Sequence, residues 1–202
     1  MKGNLNLFFT YLGGAIALIN LLWFARNIWL NKIPASNPTS FFMWTILDGL
    51  ILASMLMAKK SGWLAGAYTV GALVVTLALL ARAPREWSYK ETICAAGTAL
   101  TALVWFKWNA SAAVFAGVLA MTIAGIPIWI DLWGNPIRST WPLWFFTVVA
   151  CIFSILGSDG TWTGNILAIG GIIFNGSLAL IVLLKEPKKV TPSYRGVIKI
   201  VR

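Results

Sequence analysis

Seven apolar blocks, each about as long as a membrane-spanning helix, constrain the fold of this sequence more than any other feature. A bilayer core about 30 Å thick requires roughly 20 apolar residues in helical form. Short clusters rich in Lys, Arg, Asn, Pro and Gly separate the blocks, and the fourth block is the shortest. The predicted spans are Leu5 to Leu30, Ser40 to Met57, Gly62 to Ala81, Thr92 to Trp105, Ala110 to Ile130, Trp141 to Gly157 and Trp162 to Leu184.

The composition indicates an all-α integral membrane protein. Hydrophobic residues make up 59% of the 202 residues and charged residues 11%, whereas a soluble domain has about 25% charged residues. Lys2 precedes the first block, as a basic residue does in a secretory signal. The block is too long for the apolar core of a signal and lacks a convincing small-residue cleavage site, so we expect it to remain as the first span.

The absence of histidine excludes several kinds of functional site. Haem and zinc sites with His ligands, Ser-His-Asp catalysis and His-Asp proton relays all require this residue. The two cysteines, Cys94 and Cys151, lie within predicted spans and are interpreted as small core residues. Since the sequence also lacks a phosphate-binding Gly loop and a nucleophile–base pair, we expect no enzyme activity, no metal and no cofactor.

The basic residues lie mainly at the ends of the spans, which disfavours a nucleic-acid partner despite the net charge of +10. With seven crossings, twelve Lys and Arg residues fall on the side of the C-terminus and four on the other side. The positive-inside rule then predicts a multi-pass protein of the cell (inner) membrane, with the N-terminus outside and the C-terminus cytoplasmic.

The C-terminal tail, residues 186–202, is basic and follows Lys185. Each basic residue near a membrane surface attracts anionic lipid by about 1 kcal/mol. The favoured interpretation is that the tail only fixes the topology. Binding of an anionic lipid or of a partner is the alternative.

An internal repeat divides the sequence into two units of three spans. Matched Trp and Pro residues define the repeat at an offset close to one hundred residues: Trp29 with Trp133, Pro34 with Pro136, Trp44 with Trp144, and Trp63 with Trp162. A single span separates the two units, so both have the same orientation in the membrane. The predicted domains are the first unit at 1–85, a linker helix at 86–108, the second unit at 109–185 and the tail at 186–202.

The plan of three, one and three helices resembles the SWEET and PQ-loop superfamily of small-solute transporters. Asn-Pro dipeptides at 37–38 and 135–136 precede Trp44 and Trp144 and carry this resemblance. The Pro-Gln dipeptide of PQ-loop proteins is absent, and the segment 135–144 looks more like uncharacterised bacterial membrane proteins of similar plan. The resemblance implies two parallel triple-helix bundles around a substrate, with Thr76 and Asn175 as pocket residues.

Asp48 is the clearest candidate for a binding residue. It lies about eight residues inside the second predicted span, where insertion of a carboxylate costs roughly 2.5 to 3.5 kcal/mol. Ser40, Trp44 and Asp48 are spaced by four and share one helix face. Asp48 is interpreted either as a proton-coupling or substrate-binding acid, or as a structural group that is paired with Arg26 or hydrogen-bonded to a neighbouring helix.

Parallel repeats place a pocket near the bilayer midplane between the two units. The predicted substrate-binding set consists of polar and indole side chains inside the spans: Asp48, Trp44, Thr76, Asn175, Trp144 and Asn20. The alternative for Asn175 is a hydrogen bond between helices, worth about 0.6 kcal/mol on average in membranes.

Two further patterns occur in the fifth predicted span. Pro127 removes a backbone hydrogen bond and predicts a kink near Gly125, which would act either as a hinge or in packing alone. Alanines recur at every fourth residue from Ala112 to Ala124. Such a stripe permits close helix contact. We favour contact within the bundle over contact between the protomers of a homo-oligomer.

These features together predict a small-solute membrane transporter that works by alternating access through a pocket between the two units. Its expected partners are the lipid bilayer and a small-molecule solute. The alternative is a non-transporting membrane protein, either an accessory subunit or a lipid-binding scaffold, that keeps the fold.

Overall fold

The computed structural model describes residues 2–33, 38–82, 89–107 and 109–185, and throughout these ranges the chain forms helices and short connections without a β-strand. The predicted all-α fold is therefore confirmed for this part of the chain. The α-helices are α1 (Lys2–Trp29), α2 (Pro38–Met57), α3 (Trp63–Arg82), α4 (Tyr89–Lys107), α5 (Ala110–Gly134), α6 (Trp141–Gly157) and α7 (Trp162–Leu184). A 3-10 turn at Arg138–Thr140 precedes α6.

Polar side chains cap the starts of two of these helices. The side chain of Asn109 accepts a 2.9 Å hydrogen bond from the Ala112 amide at the start of α5. The Thr161 hydroxyl accepts a 3.2 Å bond from the Gly164 amide at the start of α7. These caps satisfy amides that the helix itself leaves unpaired. The helix starts are thus set by residues between the apolar blocks.

Six of the described helices are long and apolar enough to cross a bilayer, namely all except α4. In α4 the apolar stretch covers only Ala95–Val104. Many large apolar side chains also face outward from the bundle, among them Ile19, Leu77 and Ile173, each more than half exposed. An apolar outer surface combined with long apolar helices is typical of a multi-pass membrane protein.

The six long helices pack into a closed ring. Around the ring, each helix contacts the next in the order α1, α3, α2, α5, α7, α6 and back to α1. Helix α4 lies outside the ring, against α5 and α2. We call α1–α3 the first unit and α5–α7 the second unit. In each unit the third helix packs against both other helices, so the second half of the ring repeats the order of the first.

One side-chain contact occurs at matching places in both units. In the first unit, the guanidinium carbon of Arg82 at the end of α3 lies 5.1 Å from the centre of the Trp29 ring at the end of α1. In the second unit, the Lys185 ammonium after α7 lies 3.9 Å from the centre of the Trp133 ring near the end of α5. Both are cation–π contacts. The two tryptophans in these contacts, Trp29 and Trp133, are a pair that the sequence repeat matched.

Helices α1 and α6 lie side by side with their backbones in near contact at Gly13. A Cβ atom on Gly13 would lie 2.7 Å from the Ala150 carbonyl oxygen and 2.9 Å from the Ser154 amide nitrogen, so only glycine fits. The Thr10 hydroxyl donates a 2.9 Å hydrogen bond to the Gly157 carbonyl. The start of α1 therefore lies beside the end of α6, and the two helices are antiparallel.

Two of the four alanines of the stripe in α5 pack inside the chain. Ala120 and Ala124 are buried against Leu47 of α2, which is the internal contact that we favoured over contact between protomers. Helix α5 continues through Pro127, but the side chain of Pro127 is outside the described part, so its role as a hinge stays a prediction. The side chain of Cys94 and the whole tail 186–202 also lie outside it, together with the predicted lipid contact of that tail.

Candidate functional site

A cavity of about 80 Å³ lies between the two units, and all six helices of the ring contribute to its wall. A single water molecule requires about 10–15 Å³ measured in this way, so the cavity has room for a small solute or several waters. Asp48 lies near the middle of α2, while Trp44 and Trp144 lie nearer the starts of α2 and α6. The cavity therefore extends from the middle of the bundle towards the end at which α2 and α6 begin.

Four of the six predicted binding residues line this cavity: Trp44, Asp48, Trp144 and Asn175. Thr76 and Asn20 are buried elsewhere and are not part of its wall. The Thr76 hydroxyl donates a 2.8 Å bond to the Ala72 carbonyl in its own helix. The Asn20 amide donates to the Leu143 carbonyl at 2.8 Å and to the Thr147 hydroxyl at 3.2 Å, and so joins α1 to α6.

Asp48 is a buried carboxyl group without a hydrogen-bond partner. Its side chain is 3% exposed, and its Oδ1 atom is buried and makes no hydrogen bond. The predicted ion pair with Arg26 is absent: Arg26 is exposed, and the salt bridge found among the described residues joins Lys60 to Asp159. An unpaired polar atom in an apolar interior is costly. The structural interpretation of Asp48 as a group paired with Arg26 is therefore wrong.

Trp44 lines the same cavity and, like Asp48, carries a buried polar atom without a partner. Its Nε1 atom is buried and has no hydrogen-bond acceptor. In the second unit, the matching Trp144 donates its Nε1–H to the Thr140 hydroxyl at 3.2 Å. Trp44 and Asp48 are one helical turn apart on α2, where side chains at this spacing are neighbours. Two neighbouring residues of the cavity wall thus carry a buried N–H donor and a buried carboxyl oxygen that have no partner.

Aromatic rings from both units hold Trp44 in place. Its ring centre lies 5.2 Å from that of Phe41 on the same helix and 6.0 Å from that of Phe174 on α7, with the planes at 70° and 90°. Edge-to-face pairs at these distances are favourable. The indole is therefore fixed between α2 and α7, with its N–H group still unpaired.

Tyr68 is a cavity residue that the sequence analysis missed. Its hydroxyl group lies 3.0 Å from the sulfur of Cys151, and this contact joins α3 to α6 across the two units. The available signal was the position of a tyrosine five residues inside a span rather than at its end, where tyrosines collect. Cys151 is fully buried, as expected for a core residue.

Asn175 uses its amide group within its own helix. Its Nδ2 atom donates a 2.9 Å hydrogen bond to the Gly171 carbonyl, one turn earlier in α7. This donor therefore does not carry the predicted bond between helices. Asn175 still lines the cavity and presents its side-chain oxygen as an acceptor.

A salt bridge joins the two units at the end of the bundle opposite to the starts of α2 and α6. The Lys60 ammonium, in the α2–α3 connection, lies 2.5 Å from Oδ2 of Asp159 in the α6–α7 connection. The hydrogen bond from Lys60 is the largest cause that lowers the pKa of Asp159 to about 2, and the Thr161 hydroxyl lowers it further. Asp159 therefore stays ionised over the whole physiological range.

The residues that line the cavity can bind a small molecule non-covalently. They include a carboxyl group and an indole N–H with unpaired atoms, together with several aromatic rings. Within the described residues, no group of three His, Cys, Asp or Glu side chains is placed to hold a metal ion. Comparison of the chain with protein-family models, with curated proteins and with solved structures gave no match.

Proposed function

We propose that the protein is a small-solute membrane transporter whose substrate binds in the cavity between the two units. The observation that carries the proposal is the pair of unpaired buried atoms, Asp48 Oδ1 and Trp44 Nε1, on the wall of one cavity. A chain that used these residues only for packing would gain stability by pairing them or replacing them with apolar groups. A bound solute would supply the missing partners.

The closure of one end of the bundle supports alternating access. The salt bridge between Lys60 and Asp159 joins the units at that end, while the cavity extends towards the opposite end. If one unit rocked against the other, this end would open and the opposite end would close. We infer seven spans, with α4 as the linker, a cytoplasmic C-terminus and the architecture that the sequence resemblance to SWEET and PQ-loop proteins implies.

Transport is tested with purified protein in proteoliposomes. Uptake would be measured over a panel of sugars, vitamins, amino acids and amines, for the natural protein and for Asp48→Asn and Asn175→Ala. We expect at least one solute to enter, and the Asp48 variant to lose most of that uptake. Asp131→Asn, which changes an exposed acid near the end of α5, is the matched control. If no solute enters, the protein is instead a non-transporting scaffold or accessory subunit.

The span assigned to α4 has a separate test. Single cysteines would replace Asn31, in the α1–α2 connection, and Lys107, at the end of α4, on a background without Cys94 and Cys151. A membrane-impermeant thiol reagent should label them from opposite sides of the membrane if α4 crosses it. Labelling of both from the same side would reduce the number of spans to six.

A further inference from the structure

We propose that the substrate of this cavity is a compact organic cation with one hydrogen-bond acceptor, such as an amine that carries a single hydroxyl or carbonyl group. This inference rests on the proposed function and adds a substrate class to it. Three properties of the cavity wall support it: its charge, its aromatic faces and the small number of polar atoms that remain free.

The charge of the wall favours a cation. Among the described residues that line the cavity, Asp48 is the only Asp or Glu, and none is Lys or Arg. A buried carboxylate is stabilised by an opposite charge that enters with it, and an unpaired one is not. A cationic nitrogen beside the Asp48 carboxyl group would form an ion pair with it, whereas an anionic solute would find no Lys or Arg among these residues.

The aromatic residues of the wall favour the same class. Five rings from four helices line the cavity: Phe41, Trp44, Tyr68, Trp144 and Phe174. The face of an aromatic ring attracts an ammonium group, most strongly when water is excluded. Aromatic faces combined with one carboxylate are suited to an ammonium group that carries methyl or methylene groups.

The polar side chains of the wall disfavour a sugar or another polyol. Those with hydroxyl, amide or indole N–H groups, Trp44 excepted, already bond to protein atoms: Thr122 to Val118, Thr147 to Leu143, Asn175 to Gly171, Trp144 to Thr140, and Tyr68 to Cys151. A polyol loses its bonds to water on entry and would find few free partners here. Hydroxyl groups that are buried without partners oppose binding.

The unpaired N–H of Trp44 favours a solute that carries one hydrogen-bond acceptor. Its free N–H is one helical turn from the carboxyl group of Asp48, a separation of about 5–6 Å between Cβ atoms. A single oxygen a few bonds away from the cationic nitrogen could accept this N–H while the nitrogen contacts Asp48. Amino alcohols and amino ketones of small size have this spacing.

The test compares cations with their neutral isosteres. The melting temperature of the purified full chain in nanodiscs would be measured with choline, ethanolamine and isoamylamine, and with 3,3-dimethylbutan-1-ol, isoamyl alcohol and glucose. Ligands that bind only the folded state raise this temperature with concentration. We expect saturable stabilisation by at least one of the cations, with its neutral counterpart at least about tenfold weaker, the factor for about 1.4 kcal/mol of lost ion pairing.

Two variants assign the effect to the cavity. Asp48→Asn should weaken the binding of that cation about tenfold or more, while the exposed Asp131→Asn should leave it unchanged. Trp44→Phe keeps an aromatic ring and removes the N–H, so choline and ethanolamine should bind about fivefold more weakly, as for the loss of one hydrogen bond. Isoamylamine has no acceptor and should lose less binding than these two, because only the change of ring affects it. The melting temperatures of the ligand-free variants check that they fold.

The outcomes separate this inference from the proposed function. Stabilisation by glucose or by a neutral isostere equal to that by the cations, or binding that survives Asp48→Asn, would overturn the cation class. So would the absence of binding by every cation. Uptake of a neutral solute into proteoliposomes in those cases would leave the transporter proposal in place. The absence of any uptake would remove both.

Discussion

Lys60 and Asp159 form a salt bridge between the two units, with the ammonium nitrogen 2.5 Å from the carboxylate oxygen. Each residue lies in the connection between the second and third helices of its unit. Both connections are therefore held together at one end of the bundle. Since both side chains are partly exposed to solvent, the contribution of the pair to stability is modest.

The first prediction concerns closure at this end. Ser154, Lys60 and Asp159 line one pocket at this end of the bundle. Lys60→Met should raise the rate at which an impermeant thiol reagent labels a cysteine that replaces Ser154. A pair worth about 0.2–1 kcal/mol corresponds to a roughly 1.5- to 5-fold change. The charge-exchanged double variant, Lys60→Asp with Asp159→Lys, should restore slow labelling. Equal rates in all three proteins would show that the salt bridge does not hold this end closed.

The second prediction concerns the pH dependence of the same contact. The pKa of Asp159 lies near 2 in the folded protein, below its ordinary value of 3.8. A depressed pKa means that this group adds stability above about pH 4, which is lost as the pH falls through 2. The difference in melting temperature between the natural protein and Asp159→Asn should therefore be constant from pH 7 to 5. Below pH 4 it should shrink, and a difference that grew there would contradict the assignment.

The third prediction concerns the two tryptophans at matching places. Trp144→Phe breaks the bond to Thr140 and leaves that hydroxyl without its donor, so it should destabilise the protein by about 1 kcal/mol. Trp44→Phe removes an N–H that has no partner, so it should cost only the packing lost with the smaller ring and destabilise the protein less than Trp144→Phe does. Denaturant titration or thermal melting in the absence of solute would measure the difference. Equal losses in both variants would mean that Trp44 is paired in the ligand-free protein.

The fourth prediction concerns the contact of α1 with α6. Gly13→Ala would bring a Cβ atom within 2.7 Å of the Ala150 oxygen and should cost about 1–3 kcal/mol. Gly49→Ala is the control, because the nearest atom to its Cβ would be 3.8 Å away. Removing a helical glycine there should leave stability unchanged or raise it slightly. A Gly13 variant as stable as the Gly49 variant would show that the helices are further apart.

The fifth prediction separates a bond between helices from a bond within one helix. Asn20→Ala removes the contacts with Leu143 and Thr147, and should destabilise the protein by about 1 kcal/mol. Asn27→Ala removes a 2.8 Å bond to the Trp23 carbonyl of the same helix and should cost less. Thr147→Val combined with Asn20→Ala tests the coupling of that pair in a double-mutant cycle. Strict additivity would mean that the two side chains do not interact.

The sequence predicted the helices well because apolar length is a strong signal. The bounds of the seventh span, Trp162 and Leu184, agree with those of α7. The fifth span was predicted to end at Ile130, yet α5 continues to Gly134. Hydropathy indicates where a helix leaves the apolar layer and not where the helix ends. The predicted span therefore omitted the last turn of α5, which contains Asp131.

The candidate site was predictable only in part. Asp48 stands out in sequence because a charge interrupts an apolar run. Phe174 does not, since a phenylalanine in an apolar helix gives the same sequence pattern whether it faces a cavity or lipid. Thr76 was included because it matched Asn175 along the repeat, but sequence alignment does not fix the rotation of α3 about its axis. The pairing of Tyr68 with Cys151 depends on tertiary packing and had no sequence signal of its own.

The two unpaired atoms of the cavity belong to a single helix, α2, and the corresponding position to Asp48 in α6 is Val148. A solute that bonded to both atoms would be attached to one half of the molecule alone. The other half would contribute ring surfaces from Trp144 and Phe174 and the side-chain oxygen of Asn175. In such an arrangement the solute would stay bonded to the first unit while the second unit moved relative to it. The duplicated halves would then have different roles.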